Sequence, residues 1–253
     1  MAHTSTERAW WLWPSALSLD APAVALAWQD LLGRTDGIVP RLEGRLALGL
    51  TVWAVYLADR LIDSRSDSSA GERPPHWFSR RHRWIAIALL IAALVADSFL
   101  ALFRLRPQVL ANGFWIAAAV TLYLTAFAWR SWFHAAKPWA AATLFAAGVF
   151  LVAWTRDHEK GAVLILQAVI FFALCLGNLM VTRSPRVVGG AMALLAASCL
   201  LRLDSLWFVA AASGAAGLMV VALLRPRFSA QTIGLLADIA LLLPALRLWA
   251  LIA

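Results

Sequence analysis

Charge is scarce in this chain and unevenly signed. Only 14% of its 253 residues are charged, 22 of them basic and 14 acidic, for a net charge of +8. Hydrophobic residues make up 62%. A soluble domain of this length lacks the polar surface to cover so much apolar side chain, so lipid is the expected solvent. Cysteine is rare too. Cys175 and Cys199 both lie in apolar runs, which excludes a disulfide framework and a CxxC metal site. His76 and His82 stand on either side of Trp77 without metal-ligand spacing. There is no HExxH, no nucleophile elbow and no phosphate-cradling glycine loop. Low-complexity tails, soluble domains and internal repeats are absent as well.

What remains is a series of apolar runs. Nine candidate helices are read against the length needed to cross a bilayer: Ser15–Leu32, Gly44–Ile62, Trp84–Phe103, Pro107–Ala128, Pro138–Thr155, Gly161–Val181, Val187–Leu201, Ser205–Leu224 and Thr232–Leu251, the seventh of them short. They lack the alternation of a membrane β-barrel. The reading is an all-α integral membrane protein with one domain over residues 1–253 and a long loop over residues 63–83. That loop holds Ser64, Ser66, Ser68, Ser69, Gly71, Pro74 and Pro75, all structure-punctuating residues. The N-terminal stretch after Arg8 reads as a retained first helix, with a cleaved signal peptide as the alternative. Trp10, Trp11, Trp13, Trp129 and Trp132 near span ends suit interfacial anchoring.

The positive charge belongs to this membrane setting rather than to nucleic acid. An N-terminus inside collects Arg8, Arg60, Arg65, Arg73, Arg80, Arg81, Arg83, Arg130, Lys137, Arg183, Arg186, Arg225 and Arg227 on the cytoplasmic side. Arg34, Arg41, Arg45, Arg104, Arg106, Arg156, Lys160 and Arg202 fall on the other. The expected location is the bacterial inner membrane, N-terminus cytoplasmic and C-terminus outside.

Asp59, Asp63 and Asp67 follow one another at four-residue intervals where the second apolar run meets the basic loop. On a helix this spacing places them along one face. A carboxylate at a membrane edge is costly unless it meets a charge. The set can hold a hard divalent cation such as Mg²⁺ and, through it, a diphosphate. Arg60 and Arg65 can pair with phosphate. The plainer alternative pairs Asp59 with Arg60 or with another helix and leaves Asp63 and Asp67 solvated.

The stretch Asp59-Arg60-Leu61-Ile62-Asp63 resembles the first aspartate-rich motif of the UbiA superfamily of intramembrane prenyltransferases. Lys137-Pro138, with the Ala/Gly-rich run to Gly148, resembles the start of that family's fifth helix. Leu174-Cys175-Leu176-Gly177-Asn178 resembles the approach to its second motif. Leu236 to Pro244 and Ser18-Leu19-Asp20-Ala21-Pro22 resemble the last and first helices of small bacterial relatives. The resemblance implies a nine-helix bundle around a central cavity open to the cytoplasm. It implies Asp59 and Asp63 as catalytic residues holding Mg²⁺ with Asp67, and an isoprenyl diphosphate as ligand. Arg60, Lys137, Asn178, Arg183 and Arg186 would lie on the diphosphate, from which a prenyl group passes to a lipophilic acceptor.

The chain departs from that pattern in two places. Val55 stands where the first motif usually begins with Asn. The second motif has no carboxylate: Asn178-Leu179-Met180-Val181-Thr182 replaces it, and none occurs from Gly161 to Leu203. A second reading therefore stays open. In it, an inactive UbiA-like scaffold binds a quinone, carotenoid or other isoprenoid, or serves as a structural subunit with a protein partner in a membrane complex. Asp20, Asp97 and Asp238 are intramembrane acids whose role is either chemical or a packing hydrogen bond. A third reading makes them the coupling acids of a small transporter. Trp28, Trp53 and Trp115 suit either an isoprenoid tunnel or packing.

Overall fold

The computed structural model describes residues 17–38, 40–66, 82–129, 135–156, 161–202 and 205–252. Among the described residues nine helices follow one another and no strand occurs. They are α1 (Asp20–Thr35), α2 (Leu42–Ser66), α3 (Arg83–Phe103), α4 (Pro107–Trp129), α5 (Lys137–Arg156), α6 (Gly161–Met180), α7 (Pro185–Leu200), α8 (Leu206–Leu224) and α9 (Ala230–Ile252). In lipid no water is present to satisfy backbone groups, and a helix satisfies them within one segment.

Among the described residues five helices are long and apolar enough to cross a membrane: α3, α5, α6, α8 and residues 107–126 of α4. By helix length and hydropathy the chain is an integral membrane protein. The remaining four depart from the expected spans for separate reasons. Helix α7 is shorter, at 16 residues, and α9 enters the comparison only over residues 230–246 of its 23. Helix α1 has 16 residues, among them Asp20, Gln29, Asp30 and Arg34. Helix α2 has 25 but carries Glu43, Arg45, Asp59, Arg60 and Asp63.

Local sequence sets the ends of α1 and α2. Ser18 takes a positive φ of 58°, which turns the chain just before α1. Pro22 falls in the first turn, where its missing N–H leaves no helical bond unmade. Helix α2 continues through Ser66, so residues 63–66, expected in a loop, are helical. Asp67, His76, Trp10, Trp11, Trp13 and Trp132 lie outside the described residues.

Helix α1 is the most enclosed element, packed against α2, α5, α8 and α9. Its Trp28 is 1% exposed, with ring centroids 5.0 Å from Phe171 and 5.7 Å from Trp207. The indole N–H donates to the Leu241 carbonyl at 3.0 Å. A buried indole with its N–H satisfied is a packing element. Trp53 donates to the Leu17 carbonyl at 2.9 Å, and Trp115 is 73% exposed. None of these three tryptophans lines the cavity described below.

Peripheral helices behave oppositely. In α3 only Ala86 and Ala93 are buried, while Trp84, Val95, Phe99, Leu102 and Phe103 point outward. Such a broad exposed apolar face suits contact with acyl chains. Helices α8 and α9 meet closely because Gly217 carries no side chain. A Cβ there would stand 2.9 Å from the Ala240 Cβ. The small residues from Ser213 to Gly217 thus permit the helix contact their spacing suggests.

Candidate functional site

Asp59 and Asp63 stand one helical turn apart on α2, so both carboxylates leave the same face. Lys137, the first residue of α5, reaches both. Its Nζ lies 2.9 Å from Asp59 Oδ1 and 2.7 and 2.8 Å from the two Asp63 oxygens. From α4, the Tyr123 hydroxyl donates to Asp59 Oδ1 at 3.4 Å. Three helices therefore converge on one small polar cluster. Two carboxylates against one ammonium leave it with a net negative charge, partly open to solvent at Asp63, whose side chain is 42% exposed.

Beneath the cluster lies a cavity of about 250 Å³. Asp59, Asp63, Lys137 and Arg183 mark its charged end. Its walls are Leu48, Val52, Val55, Tyr56, Ile116, Val120, Leu144, Phe145 and Leu179, with Gly148 opening space beside Leu48. The cavity runs between α2, α4 and α5. No residue of α1 lines it, because α1 fills the middle of the bundle with its own side chains. An apolar chamber with charges at one end matches an amphipathic molecule: a long apolar tail and a compact charged head.

The remaining candidates separate into other groups. Asn178 does not line the cavity; its Nδ2 donates to Asp238 Oδ1 at 2.8 Å. Asp20 and Arg60 lie within electrostatic reach of the same carboxyl. Asn178, expected beside a diphosphate, thus belongs to a second polar group that joins α6 to α9, with Asp20 of α1 and Arg60 of α2 nearby. Tyr56 stands between the two, on the cavity wall and within electrostatic reach of Asp20, Asp59 and Asp238. Asp97 accepts from Thr51 Oγ1 at 2.7 Å and ties α3 to α2. Arg183 lines the cavity, while Arg186, in the first turn of α7, does not.

Three participants escape a reading of sequence alone. Tyr123 is one of only two tyrosines, and its place in an apolar run was the single available signal. Thr51 on the cavity wall has no motif around it. Asp30 is buried in α1 and paired with Arg34 at 3.5 Å and Arg45 at 3.2 Å. The Asp30–Arg34 spacing was visible; the Arg45 partner comes from α2.

The cluster can be tested for its fit to a hard cation. Asp59 and Asp63 already aim three oxygens at a single positive atom, Lys137 Nζ. Two carboxylates, with water and phosphate oxygens completing the shell, suit Mg²⁺. Such an ion needs Lys137 to swing aside, and the displaced ammonium then faces the phosphate. The donor set fits on that condition. Among the described residues no group of three or more His, Cys, Asp or Glu side chains gathers at one point, so the protein alone offers no closed cage.

Compared with known proteins, the chain matches no family model, no curated protein and no solved structure.

Proposed function

We propose that this protein binds an isoprenyl diphosphate, with the tail in the cavity between α2, α4 and α5 and the diphosphate at its charged end. The observation that carries this reading is that the Asp59, Asp63 and Lys137 cluster and Arg183 line one chamber whose other walls are mostly apolar. The likeness of the Asp59–Asp63 stretch to the UbiA superfamily supports it. Asp59 and Asp63 would hold Mg²⁺, which supplies charge against the departing diphosphate. Lys137 and Arg183 donate to phosphate oxygens, and Tyr56 and Phe145, which line the cavity, would supply aromatic surface near the tail. In a transfer reaction the allylic C–O bond breaks and its electron pair leaves with the diphosphate. The acceptor then bonds to the allylic carbon and gives up a proton. In this proposal the charged end of the cavity faces the cytoplasm.

A second reading has its own observation. The position of the second aspartate-rich motif holds Asn178, which is turned to Asp238. With half of the family's metal-binding carboxylates missing, a scaffold that holds a quinone, carotenoid or other isoprenoid without reacting it accounts for the same cavity.

The purified protein with labelled geranylgeranyl diphosphate and Mg²⁺ separates these readings. Saturable binding that needs Mg²⁺ and disappears in Asp59→Ala/Asp63→Ala is expected. Binding unaltered in that double variant would remove the proposal. Diphosphate release on adding membrane extract, above a no-protein control, distinguishes an enzyme from a scaffold.

A further inference from the structure

The end of the bundle away from Asp59 carries a second concentration of charge, and the charged residues described around one pocket there are nearly all basic. Arg41, Arg104, Arg106 and Arg156 surround a shallow pocket of about 30 Å³, together with a single acid, Glu43. These arginines come from four places in the chain: the residue before α2, the turn after α3, the residue before α4 and the last residue of α5. Like charges gather at a cost unless something negative joins them. The repulsion registers on Arg106, whose pKa is lowered from its ordinary value by the neighbouring Arg41 and Arg156. Arg156 has a further interaction of its own. Among the described residues Arg41, Arg104 and Arg106 form no ion pair with any carboxylate, Glu43 included.

Backbone adds to the same field. Helices α2 and α4 both begin at this pocket, at Leu42 and Pro107. The first N–H groups of a helix have no partner within it, and its N-terminal end is partially positive. Glu43 and Gly44 in the first turn of α2 and Val109 in that of α4 line the pocket. Two helix N-termini and three unpaired guanidiniums thus point at one place. Guanidinium forks and helix N-termini share one preferred ligand, a phosphate group.

We propose that this pocket binds a phosphate group. A lipid headgroup is one source and free phosphate the other. The pocket holds little more than phosphate oxygens, and the surface beside it is suited to acyl chains: Leu102 is 67% and Phe103 71% exposed immediately before Arg104. The pocket lies about 28 Å from the Asp59 cluster along α5, since 19 steps separate Lys137 from Arg156. That is the thickness of a hydrocarbon core, so the two sites fall at opposite membrane surfaces. The inference is independent of the prenyl diphosphate reading.

Thermal unfolding of the full-length protein in dodecyl maltoside tests it. Separate titrations use dioleoylphosphatidylglycerol, inorganic phosphate and dioleoylglycerol, which lacks phosphate. Phosphatidylglycerol is expected to raise the midpoint saturably and dioleoylglycerol to leave it unchanged. Arg104→Gln/Arg106→Gln should shift half-saturation upward about tenfold through loss of two charge-assisted donors. Glu43→Gln should shift it downward by removing the one opposing charge. If inorganic phosphate reproduces the stabilisation and competes with the lipid, the site takes free phosphate; if only the lipid acts, it takes a headgroup. Half-saturation that is the same in wild type and both variants overturns the proposal. Should the double arginine variant fail to fold, the direction of the Glu43→Gln shift decides alone. Geranylgeranyl diphosphate binding at Asp59 and Asp63 should be unaltered by any of these changes.

Discussion

Lys137 neutralises the cluster as it stands, bonding Asp59 and Asp63 at once. In the proposed function the same ammonium would also have to meet the phosphate. Removing Lys137 leaves two carboxylates side by side without their counter-ion. The pair is part-exposed, which places the loss between that of a surface bridge and a buried one. Lys137→Gln is therefore expected to destabilise the protein by about 1–3 kcal/mol, read from chemical unfolding in detergent. Adding Mg²⁺ should recover part of that loss, because the divalent ion takes the ammonium's place between the same oxygens. A variant as stable as wild type, and indifferent to Mg²⁺, would mean that the two acids have no need of charge compensation. Asp59 and Asp63 were legible as a pair from their spacing alone. Their partner was not, because it stands 74 residues later than Asp63.

At the level of elements, the bundle depends on close approach as much as on apolar area. Lipid tails are as apolar as leucine, so burying a methyl against a neighbouring helix gains little over leaving it in the bilayer. Shape complementarity then decides which helices associate. Gly217 against Ala240 is the tightest example, and any Cβ at 217 meets the Ala240 methyl. Gly217→Val should separate α8 from α9 and cost about 1–3 kcal/mol by overpacking. Gly190, with open space around it, serves as the control and should accept alanine with little change. Equal unfolding midpoints for Gly217→Val and Gly190→Ala would show that the α8–α9 contact is loose. The glycine spacing pointed to this contact, yet nothing in it named α9 as the partner.

For the molecule as a whole, the distribution of charge between its two ends makes a prediction about sidedness. Arg183 borders the cavity end, and Arg104 belongs to the arginine pocket at the other. The native cysteines are buried and free, so they should remain silent to bulky reagents. With an impermeant maleimide on right-side-out vesicles, Arg104→Cys should be labelled directly and Arg183→Cys only after permeabilisation. Labelling of both from one side would contradict the arrangement of α2 to α6 across the bilayer. The five qualifying helices supply the apolar span, and the more polar α1 and α2 are carried within it. Asp30 tolerates its burial in α1 because Arg34 and Arg45 neutralise it.

The sequence by itself determined the solvent, the helical class and most helix limits, since each depends on local hydropathy and on backbone groups that must be satisfied within one segment. It also determined that Asp59 and Asp63 share a face, because helical periodicity is local. Only the tertiary structure decided that Lys137 and Tyr123 close on Asp59, that Asn178 turns to Asp238, and that no residue of α1 lines the cavity. It alone also gathered arginines from four separate helix ends into one pocket. In a bilayer, apolar faces toward lipid and toward protein read alike along the chain, so which face meets which neighbour is settled by packing across distant segments.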